Sequence, residues 1–83
     1  MKVSNCWSYD SIVAFDLVCS KEAMEKLEAY DLIILHDIRS VKREGYVAMR
    51  LKTTKKCLKR IYEDKHNKVE WNGFCKWIKE VTS

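Results

Sequence analysis

The side chains able to do chemistry in this chain are two histidines, four cysteines and a dense run of cations. His36 stands beside Asp37, but neighbours on a strand point to opposite faces, so adjacency alone does not make them a catalytic dyad. His66 falls near the expected end of a helix, where a protonated imidazole interacts favourably with the helix dipole. Cys6, Cys19, Cys57 and Cys75 are widely spaced. None forms the Cys-x-x-Cys turn that sets two thiolates on one edge of a zinc tetrahedron. They read instead as reduced, buried thiols packing as small hydrophobes. There is no phosphate-cradling glycine loop, nucleophile elbow or His pair at metal spacing. The expectation is a protein that is not an enzyme and needs neither metal nor cofactor, with a small ribonuclease as the nearest catalytic alternative.

The cations are the informative group. Arg39, Lys42, Arg43, Arg50, Lys52, Lys55, Lys56, Lys59 and Arg60 stand against one acid, Glu44, in the segment they span. Residues 1–38 are net acidic, and residues 61–83 balance, so the total charge of +4 conceals a dipolar chain. A local excess of Lys and Arg attracts phosphates or acidic protein surfaces. A solvated helix face is the ordinary meaning of such a run. Here a hairpin and a helix follow one another directly, so their cations are expected to join in one patch, with Tyr46 and Tyr62 close enough to stack on a base. Phosphate neutralisation plus ring stacking suits RNA best among nucleic acids. Trp7 and Trp71 lie in poorly patterned segments, where either could be an exposed interface anchor.

The elements that position these residues follow from periodicity. Ser11 to Cys19 is rich in β-branched and aromatic residues and apolar on both faces, as a central strand would be, with only Asp16 interrupting. Ser20 can cap a helix over Lys21 to Tyr30, whose stripe is Ala23, Met24, Leu27 and Tyr30. Leu32 to Arg39 returns to strand composition. Tyr46 to Lys52 alternates, with Val47, Met49 and Leu51 on one side and Tyr46, Ala48, Arg50 and Lys52 on the other. The two strands make a hairpin with Lys42, Arg43 and Gly45 near its tip. Thr53 or Thr54 can cap the next helix, which buries Cys57, Leu58, Ile61 and Tyr62 opposite Lys55, Lys56, Lys59 and Arg60. Asn67 is expected to end it in a left-handed cap, and Asn72 to cap a last helix burying Phe74, Trp77, Ile78 and Val81. Met1 to Asp10 reads equally as a short edge strand or an irregular arm.

The fold class expected is therefore α+β: one small domain, residues 1–83, with a three- or four-stranded, mostly antiparallel sheet and helices on one face, in the order β-α-β-β-α-α. Apolar runs are too short to span a bilayer, and Met1 to Asn5 lacks the features of a secretory signal, so no membrane partner and a cytoplasmic location are expected. Two binding functions compete. One is engagement of RNA or another nucleic acid by the basic hairpin and helix. The other is a small inhibitor that uses the same patch, with tryptophan anchors, against an acidic or nucleic-acid-binding protein surface. In size and organisation, though not in any motif, the chain resembles the short phage-encoded proteins that block host defence, including anti-CRISPR proteins and antitoxin-like inhibitors.

Overall fold

A computed structural model describes residues 1–38 and 43–83. The strands are β1 (Lys2–Tyr9), β2 (Ile12–Ser20), β3 (Ile33–Ile38) and β4 (Tyr46–Thr54); the helices are α1 (Lys21–Leu27), α2 (Lys55–Lys65) and α3 (Asn72–Thr82), with a 3-10 turn at Val69–Trp71. The strands form a single sheet in the order β1-β2-β4-β3, every pairing antiparallel. β2 and β3 are consequently parallel to each other with β4 inserted between them, a split β-α-β unit carried by α1. The architecture is α+β as expected, with one further strand: the N-terminal segment is a full edge strand and not an arm.

Helix boundaries follow local chemistry. The Ser20 hydroxyl accepts from the Ala23 amide at 3.1 Å and opens α1, and the Thr54 hydroxyl accepts from the Cys57 amide at 3.1 Å and opens α2. Each satisfies an amide that the first helical turn leaves without a partner. α1 stops at Leu27, a turn earlier than the stripe suggested, and Tyr30 instead donates its hydroxyl to Asp64 at the far end of α2. Burial and that acceptor raise the Tyr30 pKa to about 12. Two expected caps differ. α2 ends on His66 in a right-handed conformation, and Asn67 is not among the positive-φ residues described, which outside glycine are Asn5 and Asp10. Asn72 is the first residue of α3 and makes no cap, because the preceding 3-10 turn runs directly into the helix. Gly45, at φ +79°, turns the chain into β4, and its carbonyl accepts from the Lys21 amide at 2.9 Å.

All three helices lie on one face of the sheet. Val13, Phe15, Leu17 and Cys19 of β2 and Leu51 of β4 meet Ala23, Met24, Leu27, Leu58, Ile61, Phe74, Cys75 and Ile78 from the helices. Phe15, Phe74, Trp71 and Trp77 form the aromatic centre of this layer, with Phe15 4.6 Å from Trp77 and 5.9 Å from Phe74. Fully burying a large apolar side chain contributes about 1.5–3 kcal/mol, so this face dominates the stability. Thr53, polar and buried, donates its hydroxyl to the Asp31 carbonyl at 3.0 Å. Trp71, expected as a candidate interface anchor, is 1% exposed. The 3-10 turn rotates it inward, where its ring packs against Phe74 and its indole N–H reaches Glu70.

Candidate nucleic-acid interface

Side-chain alternation divides β4 between two layers. Leu51 and Thr53 are buried beneath the helices, so Arg50 and Lys52 point to the other face, which no helix among the described residues covers. Strand register then arranges that uncovered face in rows. Trp7, Ala14, Lys52 and Ile33 lie side by side; next come Ser4, Asp16, Arg50 and His36; then Lys2, Val18, Ala48 and Ile38. Ser20 and Tyr46 pair at the end of the strands, where the chain enters α1 and both residues border a cleft shared with Ala23 and Lys26.

The second row is a closed polar network. Arg50 Nη1 lies 3.2 Å from Asp16 Oδ1 and donates to the Asn5 carbonyl at 2.6 Å, while the Asn5 side-chain amide donates to Asp16 Oδ2 at 2.6 Å. Asn5 reaches both partners because β1 carries a bulge between Ser4 and Trp7, in which Asn5 takes φ +48°. Asn is among the residues that tolerate this conformation best. The hydrogen bond from Asn5, with those from Arg50, holds the Asp16 carboxyl below its ordinary pKa. The opposite edge strand, β3, is also bulged at this level, between Ile34 and His36.

Around this network the face is apolar and aromatic. Trp7 is 53% exposed, Tyr9 74% and Ile33 58%. Ala14 and Ala48 in its middle are small and closely flanked. At the far end the Arg43 guanidinium lies over the Tyr46 ring, 4.0 Å from its centre. Cations and rings therefore share this face: Lys2, Lys52, Trp7 and Tyr9 along it and Arg43 over Tyr46 at its end, with the central acid already occupied by Arg50.

The remaining basic residues are elsewhere. Lys56, Lys59 and Arg60 are exposed on α2 and Lys55 is half-buried at its start, all on the helical layer. Tyr62, half-buried, stacks on His66 at 5.0 Å. Arg39 and Lys42 lie outside the described residues. The cations are thus divided between the two layers, with the sheet between Lys52 and the α2 series. Among the described residues no ion pair engages Lys56, Lys59 or Arg60.

The thiols are free: Cys19, Cys57 and Cys75 are buried, and Cys6, expected to be buried, is exposed on the β1 bulge. Burial raises the Cys19 pKa to about 11 and pushes Cys75 up as well. No group of three or more His, Cys, Asp or Glu side chains comes together among the described residues. No helix described is long and apolar enough to cross a membrane.

Sequence reasoning placed Trp7, Arg43, Tyr46, Arg50 and Lys52 among the binding residues but not Asn5, Asp16, Lys2 or Tyr9, and it weighed His36 only as a catalytic candidate. Asp16 carried a usable signal: a lone acid in an apolar strand, alternating away from Phe15 and Leu17, has to find a cation on the other face. Comparison with known proteins identifies no match to a family model, a curated protein or a solved structure.

Proposed function

We propose that this chain is a non-enzymatic binding protein that engages nucleic acid, RNA in preference, through its basic surfaces. The observation that supports this reading most is the uncovered sheet face, which carries Lys2, Lys52 and the exposed ring of Trp7, has Arg43 over Tyr46 at its end, and has its central acid paired with Arg50. Cations recruit phosphates at long range and rings hold bases at short range, and this combination is what sequence-tolerant binding of nucleic acid requires. The exposed cations of α2 add to the long-range attraction. The cytoplasm, which keeps thiols reduced, is the compartment that suits three buried free cysteines.

The test is equilibrium binding of labelled RNA over a range of salt. Affinity should fall with a log-log slope of about −0.7 per phosphate neutralised on a single strand. Replacing Lys56, Lys59 and Arg60 together with Gln should flatten that slope and leave the fold intact, since these three positions are exposed on α2, away from Leu58 and Ile61. Salt-independent binding, or none, would remove nucleic acid as the partner.

A second reading has its own support. Ile33, Ile34 and Leu35, each about half exposed on the β3 edge, are apolar in a way that phosphates do not need. They suit an inhibitor that docks on a larger protein, of the anti-defence kind that the chain resembles in size. Partners retained on the protein after nuclease treatment would favour this alternative.

A further inference from the structure

We infer that the uncovered sheet face takes unpaired nucleotides, with a base stacked on Trp7 and the backbone held at Lys52 and Lys2, so that the protein selects single strands over duplex. This rests on the nucleic-acid reading above and says which form of nucleic acid is bound and where.

Ring geometry comes first. Trp7 belongs to an edge strand and stands opposite Ala14, a residue too small to rise beside the indole, and half of its surface is open to solvent. A buried indole such as Trp71 serves packing; an open indole on a flat sheet offers a planar surface the size of a base. Base-on-aromatic stacking tolerates any sequence because every base has a π face. A duplex keeps those faces inside its own stack and presents phosphates outward, so Trp7 and Tyr46 would add nothing to binding it.

Charge placement gives the same occupant. Lys52 stands across Ala14 from Trp7, two strand spacings or about 10 Å away, a gap that one nucleotide and an extended lysine side chain bridge. Tyr46, covered on one side by Arg43, stands at the other end of β4, so a strand running diagonally from one ring to the other crosses β2 at Asp16 and Val18, with Arg50 alongside. The acid on this path, Asp16, is held by Asn5 and Arg50 and presents no free negative charge to a phosphate. Both edge strands are bulged at the level of that pair, and bulges discourage the addition of a further strand. The partner therefore lies across the face.

The experiment uses the full chain with three probes: a twelve-nucleotide oligouridylate, a duplex RNA of equal length and inorganic polyphosphate, which has charge but no rings. Oligouridylate should bind tightest and quench tryptophan fluorescence. Trp7→Ala should weaken oligouridylate binding roughly 5- to 150-fold, the value of one stacked base, while polyphosphate binding stays unchanged. Trp7→Phe should keep most of the affinity. Trp7→Leu, which retains apolar bulk over Ala14 without a ring, covers the case in which the alanine variant does not fold, and should lose affinity as alanine does. Equal binding of all three probes, or a leucine variant as tight as wild type, overturns the inference and leaves the polyanion reading standing. Failure to bind any probe overturns both, and capture of a protein through Trp7 in the absence of nucleic acid replaces this occupant with a protein.

Discussion

The two faces of the sheet are made by the same strands and differ in almost everything else. On β2, Val13, Phe15, Leu17 and Cys19 are sealed under helices, whereas Ala14, Asp16 and Val18 between them belong to a face that no element among the described residues covers. The covered side is selected for volume and fit. The uncovered side mixes small residues, rings and charges, and keeps its one central acid only because Asn5 and Arg50 satisfy it. An antiparallel sheet can present one solvated face at no cost. A solvated face that carries Trp7, Tyr9 and Ile33 has more apolar surface than solvation alone calls for.

The sharpest way to break this contrast is to truncate one ring on each side. Phe74→Ala, beneath the sheet, should cost about 3–5 kcal/mol and bring the protein close to unfolding, as read by denaturant titration. Trp7→Ala should change stability far less while abolishing most single-strand binding. Comparable losses of stability would show that the uncovered face is structural.

The polar row should give an intermediate effect. Asp16→Asn or Asn5→Ala should each cost about 1.5–3 kcal/mol, the worth of hydrogen bonds to a charged group. The Asp16 pKa is lowered in the folded protein, so its contribution is present above the unfolded value of 3.8 and is lost as pH falls through the lower folded value. Acid denaturation should accordingly begin at higher pH in Asn5→Ala. An unchanged acid midpoint would mean that the network contributes no stability.

The smallest effect concerns the thiols. Cys6 should react with iodoacetamide in the native protein, and Cys19, Cys57 and Cys75 only after unfolding. Cys6→Ser should alter stability by no more than about 0.5 kcal/mol. Native alkylation of Cys19 would mean that the helical layer opens far more readily than its packing implies.

Periodicity made most of the fold legible. The stripe Phe74, Trp77, Ile78 and Val81 oriented α3, strict alternation oriented β4, and the run Ser11 to Cys19 announced a central strand. β1 was not legible because its bulge shifts the phase: Val3 faces the helices, Trp7 the open side, and the pattern between them matches no single period. Trp71 was misread because a connector without a pattern gives no sign of which way a 3-10 turn will point. The division of the cations was readable in principle. Leu51 fixes the side on which the helices must lie, so Lys52 alternates to the opposite side and cannot share a surface with Lys59. What the alternation could not supply was the row structure, which depends on register between strands distant in sequence.

That register also sets the order in which the molecule comes together. β1 with β2 and β3 with β4 are local hairpins, the first closed by Asp10 and Ser11, whereas β2 with β4 joins Ile12 to Thr54 and Ser20 to Tyr46 across the whole of α1 and β3. Loop-closure entropy makes this pairing the slow event, and substitutions along the β2–β4 seam should retard refolding more than those in either hairpin. Before the seam closes, Trp7 and Lys52 belong to different hairpins and Asp16 has no Arg50. The surface that carries them has no partial form, because neither hairpin alone holds both Trp7 and Lys52 or both Asp16 and Arg50.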